Sequence, residues 1–292
     1  MTSDKLWNLL GAPAPFDPSC RYVTSWAFSP GVLLLIRGSI AVYTLTTLVF
    51  RVVWDSVRDH DIDSFFSYFT HLCYIGQCAY FFAATVQTYF YRRNLTLRRT
   101  HDEEVHEKQL PDNGAAIVPR NRYPLQRWPR ILQFLHALLW STIPIYGFLV
   151  TIVYWAILSD NSFDSPFNAW SNVSLHILNS VQAAFEVIFT RTPQPEWLHI
   201  PFLIVMLAGY LGVAYITHET QGFYVYDFLN PDNGAGELAG YIVGIAAASA
   251  VLLTVCKGII YARMRWIEKS VGRKQVDEAR AEKLMAERDP EV

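Results

Sequence analysis

Residues 131–158 read ILQFLHALLWSTIPIYGFLVTIVYWAIL, 28 positions without one charged side chain. A helix rises about 1.5 Å per residue, so about 20 apolar residues cross the ~30 Å hydrocarbon core of a bilayer. This run is long enough to tilt or to protrude. Five further stretches are built the same way, near 30–52, 66–91, 172–190, 199–217 and 238–262. Each is continuous, whereas the strands of a membrane barrel would alternate apolar and polar residues over about ten positions. The expected fold is all-α: a six-transmembrane helix bundle.

Composition agrees. Of 292 residues, 52% are hydrophobic, 15% aromatic and only 17% charged, against about 25% charged in an ordinary soluble domain. Mean hydropathy is a modest +0.16 because the charge gathers in a few stretches. A soluble fold and a disordered chain are both disfavoured. The net charge of −2 gives no reason to expect a nucleic-acid partner. Cys20, Cys73, Cys78 and Cys256 show no framework spacing and read as small core residues, not as disulfides or metal ligands.

Charge placement orients the spans. The N-terminal segment 1–29 holds two lysines and arginines, the 92–130 loop nine, the 191–198 loop one and the 263–292 tail eight. The opposite loops hold only Arg51 and Arg58, while Arg37 and Lys257 fall inside spans. The positive-inside bias puts both termini in the cytosol, which six crossings satisfy. The domains expected are therefore a cytosolic segment 1–29, a membrane domain 30–262 and a charged cytosolic tail 263–292. Segment 1–29 lacks the apolar core and small-residue cleavage site of a signal peptide. The 92–130 stretch reads as a mobile loop whose basic ends touch anionic headgroups. The endoplasmic reticulum or the plasma membrane is the expected compartment. The sequons at Asn94 and Asn172 read as chance matches, one cytosolic and one too near the membrane.

Polar side chains within the spans are costly in hydrocarbon and are candidates for function. On the second span Thr70, Cys73, Gln77 and Ala84 share a helical face; on the fourth, Asn172, His176, Asn179, Ala183, Glu186 and Thr190 form a stripe. Thr70 and His176 both lie about five residues inside their helices, ~7 Å below the outer boundary at 1.5 Å per residue. A hydroxyl becomes a nucleophile when a base accepts its proton, and neutral imidazole suits that work near pH 7. The competing reading is structural: threonine bonding its own helix and histidine bonding across helices. Asn172 is placed to orient the imidazole, and Gln77 to hold Thr70 or donate to an oxyanion. Arg51, Arg58 and His71 are candidates for a substrate carboxylate. Glu186 is expected to pair with Arg37 or Lys257 as a structural ion pair. The scattered histidines do not suit haem, His218-Glu219 lacks the second histidine of a zinc motif, and no phosphate loop or GxSxG elbow is present. No cofactor or metal is expected.

These motifs resemble the androgen-induced-gene-type, androgen-dependent TFPI-regulating protein-like family of multi-pass intramembrane threonine hydrolases. The family's second-span pattern is similar to SYFTHLCYIGQ, with Thr70 and Gln77. Its fourth-span pattern is similar to AWSNVSLHILNSVQAAFE, with Trp170, Asn172, His176 and Glu186. Its outer loop resembles THETQGFYVYDFLNPDNGAG, at His218, Gly222, Val225, Tyr226, Phe228 and Leu229. The resemblance spans about 30–262 and implies hydrolysis of fatty acid esters of hydroxy fatty acids, with Thr70 as nucleophile and His176 as base. The chain departs from the pattern at Val181 and Asp227, where the family often has proline, and in a longer 92–130 loop and N-terminal extension. The partners implied are membrane lipids and an amphiphilic lipid ester. The alternative class is a non-catalytic membrane scaffold, or a lipid-binding or transport protein.

Overall fold

The computed structural model describes residues 3–107, 122–159 and 163–288, and over these the chain is all-helical. The helices are α1 (Ser3–Leu9), α2 (Pro30–Trp54), α3 (Phe69–Glu107), α4 (Arg130–Val153), α5 (Pro166–Asn172), α6 (Asn179–Phe189), α7 (Ile200–Gln221) and α8 (Ala235–Arg288). Among the described residues the one extended pairing is a bridge between Ser25 and Thr190. Local chemistry sets the boundaries. Ser29 caps α2, accepting from the Val32 N–H, and Pro30 occupies its first turn. Ser165 and Pro166 repeat that device at α5. Gly222, at φ 81°, closes α7 by donating its N–H to the His218 carbonyl.

Among the described residues, four helical stretches are long and apolar enough to cross a membrane: Pro30–Asp59, Arg130–Leu158, Trp197–Gln221 and Ala235–Ser270. They fit an integral membrane protein. The molecule exposes large apolar side chains and buries charged and polar ones alongside its apolar core. Leu35, Val205 and Val243 are each about two-thirds exposed (69%, 68% and 66%), whereas Arg37, Asn179 and Glu186 are fully buried. α3 and the Val173–Phe189 stretch are less apolar because they carry Thr70, His71, Gln77 and Thr88, and His176, Asn179, Gln182 and Glu186. α3 packs against α2 and α4, and α4 also meets α6 and α8. α4 is thus the central helix, with Phe134, Trp140, Ile145 and Leu149 among its buried residues.

Three segments differ from expectation. The N-terminal segment, expected only as a stretch outside the membrane domain, is packed: Phe16, Cys20, Tyr22 and Val23 are buried in the same core as Tyr80, Trp140 and Val187. Apolar residues at these positions have more to gain from the bundle end than from water. The 92–130 segment continues α3 to Glu107, since no glycine or proline interrupts it before Pro111. Beyond it, Tyr123 and Leu125 are buried. Arg120 and the rest of 108–121 lie outside the described residues. α8 runs through position 263 to Arg288, so membrane helix and charged tail are one element.

Candidate active site

Three irregular segments converge on one cavity. The Ile62–Ser67 turn delivers Thr70 into the first turn of α3. After α4 the backbone widens into a π-helical turn, Tyr154–Leu158, and a second π-helical stretch, Val173–Leu178, carries His176. Such π-turns are over-represented at functional sites. The cavity measures about 330 Å³, and Arg51, Thr70, His71, Tyr154, Asn172 and His176 all line it. Thr70 also lines a second, apolar cavity of about 160 Å³ walled by Leu149, Val153, Leu207 and Ile245. Tyr154, Leu158 and Tyr226 are likewise common to both. The threonine thus stands at the junction of a polar and an apolar chamber.

His176 and Thr70 are not hydrogen-bonded to each other. The imidazole lies flat on the Tyr154 ring, centroids 3.5 Å apart and planes 4° from parallel. Its Nδ1 is buried and meets no partner among the described residues, so Nε2 is the nitrogen left to face the cavity. Asn172 lines the same wall without bonding that Nδ1. Adjacent to Thr70, His71 is held more firmly: its ring stacks on Phe65 at 4.3 Å, and its Nδ1 is 2.7 Å from the Phe65 carbonyl. A carbonyl only accepts, so Nδ1 carries the proton and Nε2 of neutral His71 is an acceptor. The Tyr226 phenol, from the segment between α7 and α8, sits beside Thr70 and Tyr210.

Other sequence candidates fall in different places. Arg51 donates from Nε to Asp55 Oδ2 at 3.1 Å, and no described residue hydrogen-bonds its two Nη atoms. Arg58 lies over the Trp54 ring and does not line the cavity. Gln77 is two helical turns deeper; its Nε2 donates to Gln182 Oε1 (2.5 Å) and to the Asn179 carbonyl (3.3 Å), and it faces a separate cavity. Glu186 pairs with Arg37: Nε to Oε1 at 2.8 Å and Nη2 to Oε2 at 2.7 Å, both side chains fully buried. Lys257 instead donates to the Pro195 carbonyl at 2.6 Å and lies over the Trp197 ring.

Tyr154 and Asp55 were missed by sequence reasoning, and Tyr226 was singled out only as a position of the THETQGFYVYDFLNPDNGAG pattern, with no role. Tyr154 and Tyr226 look like ordinary interfacial aromatics, and Asp55 like a loop residue. The one available signal was the YVYDFL run between α7 and α8, too apolar to remain in water. No family model, curated protein or solved structure matches this chain.

Proposed function

We propose that the chain is an intramembrane threonine hydrolase that cleaves lipid esters, crossing the bilayer six times with both termini in the cytosol. The observation that carries this is Thr70 at the junction of a polar chamber holding two imidazoles and an apolar chamber able to take an alkyl chain. An ester has that same division between carbonyl and chain. α3 and the Val173–Phe189 stretch would supply the two further crossings, their polar faces turned inward as membrane helices require.

In this mechanism His176 accepts the Thr70 proton and the hydroxyl oxygen attacks the ester carbonyl. The alcohol leaves with that proton, and water, activated by the same imidazole, releases the acyl group. Thr70 occupies the first turn of α3, at the positive end of the helix dipole, where the His71 and Leu72 N–H groups already donate to the Tyr68 carbonyl. The Tyr226 phenol, beside Thr70, is the donor best placed to meet the oxyanion. Arg51, in the last turn of α2, lines the polar chamber and through its Nη atoms is placed to meet a substrate carboxylate, as a fatty acid ester of a hydroxy fatty acid would present. A second assignment of the base is favoured by one contact: His71 has its tautomer fixed by Phe65, which His176 lacks.

The test is covalent labelling by an active-site-directed hydrolase probe in membranes, with turnover of branched and simple lipid esters. Thr70→Ala should abolish both. His176→Ala should do the same if His176 is the base, whereas loss in His71→Ala alone would transfer that role. Undiminished labelling of Thr70→Ala would leave the scaffold or lipid-binding reading in its place.

A further inference from the structure

Between α3, α4, α6 and α7 lies a cavity of about 330 Å³ that contains neither Thr70 nor His176. Its lining is largely apolar; Asn179 and Gln77 enter it from α6 and α3, and the Thr142, Tyr146 and Tyr210 hydroxyls are already spent on the Leu139, Leu203 and Ser67 carbonyls. Asn179 is fully buried, and neither its Nδ2 nor its Oδ1 meets a hydrogen-bond partner among the described residues. The neighbouring amide cannot serve it, because Gln77 Nε2 is committed to Gln182 and to the Asn179 backbone. Space has been left for the group on the other side: a Cβ at Gly147 would come within 3.3 Å of Asn179 Oδ1. Buried polar groups are nearly always paired, and an unpaired carboxamide is costly away from water. Leu135 and Met206, also in the lining, are 47% and 45% exposed, so the cavity reaches the apolar outer surface of the helices. The cavity therefore opens toward lipid.

We infer that this cavity binds an alcohol-headed lipid, its hydroxyl seated on Asn179 and its hydrocarbon leaving between Leu135 and Met206. A hydroxyl both donates and accepts, so one oxygen satisfies Oδ1 and Nδ2 together. An ether or an alkane cannot do so, and a charged head would enter a chamber without a counter-ion. The site shares no residue with the Thr70–His176 cavity, while Phe69 and Tyr210 also wall the apolar chamber beside Thr70; Asn179 lines neither of those two.

The experiment is photolabelling of the purified full chain in lipid nanodiscs with two probes, a diazirine-bearing hexadecanol and a diazirine-bearing sterol. Saturable labelling of the 135–147 or 202–213 segments by either probe is expected, and the probe that labels identifies the source of the hydroxyl. Unlabelled alcohol should compete at least tenfold better than the matched methyl ether. Asn179→Leu should weaken labelling about tenfold without lowering the unfolding temperature, and Thr70→Ala should label as the parent does. Should Asn179→Leu fail to fold, Met206→Trp blocks the mouth without touching the amide and should abolish labelling. Equal competition by the ether, undiminished labelling of Asn179→Leu, or no saturable labelling at all would overturn the inference.

Discussion

Replacing Glu186 by Gln isolates the buried ion pair from the chemistry. Glu186 Oε2 accepts from Arg37 Nη2 (2.7 Å), the Tyr80 hydroxyl (3.1 Å) and the Thr192 hydroxyl (3.4 Å), while Oε1 accepts from Arg37 Nε (2.8 Å). A carboxamide has one oxygen, so its NH2 must confront donors on one side or the other. Arg37 also keeps its charge, with only the Tyr22 carbonyl and Thr88 hydroxyl, each at 2.8 Å, left to receive it. Removing one partner of a buried pair costs about 3–5 kcal/mol. At about 2–4 °C per kcal/mol for a chain of this order of size, the unfolding temperature should drop by ~6–20 °C. Turnover at a permissive temperature should hold, because ten residues of helix, about 15 Å, separate Glu186 from His176. The assay is thermal unfolding in nanodiscs alongside ester turnover, with Arg37→Met/Glu186→Leu as the paired control. Removing both charges should recover most of the loss, since desolvation falls away with attraction. An unchanged unfolding temperature with lost turnover would refute the structural assignment and move Glu186 into the catalytic machinery.

Lys257→Met should shift stability by less than about 1 kcal/mol in the same unfolding assay, because Lys257 touches a carbonyl and a ring face, not Glu186. Arg51→Gln should raise KM about fivefold for an ester bearing a free carboxylate and leave its methylated counterpart unchanged, equivalent to ~1 kcal/mol; equal effects on both would remove Arg51 from recognition. Tyr154→Leu should lower kcat about three- to tenfold by freeing the imidazole that now lies flat on that ring, with unfolding little altered. Asp17, in the N-terminal segment, accepts from the Tyr123 hydroxyl and from the Arg21 and Tyr22 N–H groups, yet burial raises its carboxyl above the ordinary 3.8. The folded chain then holds that proton more tightly than the unfolded one. Its contribution is full below pH 3.8 and lost as pH rises from there through the raised value. Asp17→Asn should flatten that limb of a stability–pH curve, and an unaltered limb would show that another group titrates.

The sequence carried the helical class plainly, because apolar runs of such length have few other uses. It carried the polar stripes too: Thr70, His71 and Gln77 on one helix and His176, Asn179 and Glu186 on another are all inward-facing. What could not be read was the register between them. An α-helical spacing places Asn172 directly beneath His176, but the π-helical stretch Val173–Leu178 adds backbone to the turn and leaves His176 Nδ1 without that partner. The same stretch sets Asn179 toward a different cavity from His176. The packed N-terminal segment escaped notice because Phe16, Cys20, Tyr22 and Val23 do not repeat with any helical period. Their burial depends on a surface that exists only after the bundle has formed.

The placement of Thr70 bears on the choice between enzyme and scaffold in a way its identity alone does not. A threonine needed only for packing would bond a carbonyl one turn back, as Thr44, Thr47, Thr85 and Thr88 all do here. Thr70 stands at the start of α3, where the carbonyl four residues back belongs to the preceding turn, and its hydroxyl makes no such bond. Its neighbours are instead a phenol, the imidazole of His71 and a chamber wall. Its hydroxyl meets the Tyr226 phenol at the edge of a cavity that two imidazoles line, and it is not spent on its own helix. The proposed reading gives that arrangement a purpose, since a nucleophile tied to its own helix would first have to be released. On this argument Thr70→Val, which keeps the shape and removes the oxygen, should leave unfolding within about 1 kcal/mol of the parent while ending ester turnover. A Thr70→Val protein that turns over at the parent rate would return the hydroxyl to the list of spectators.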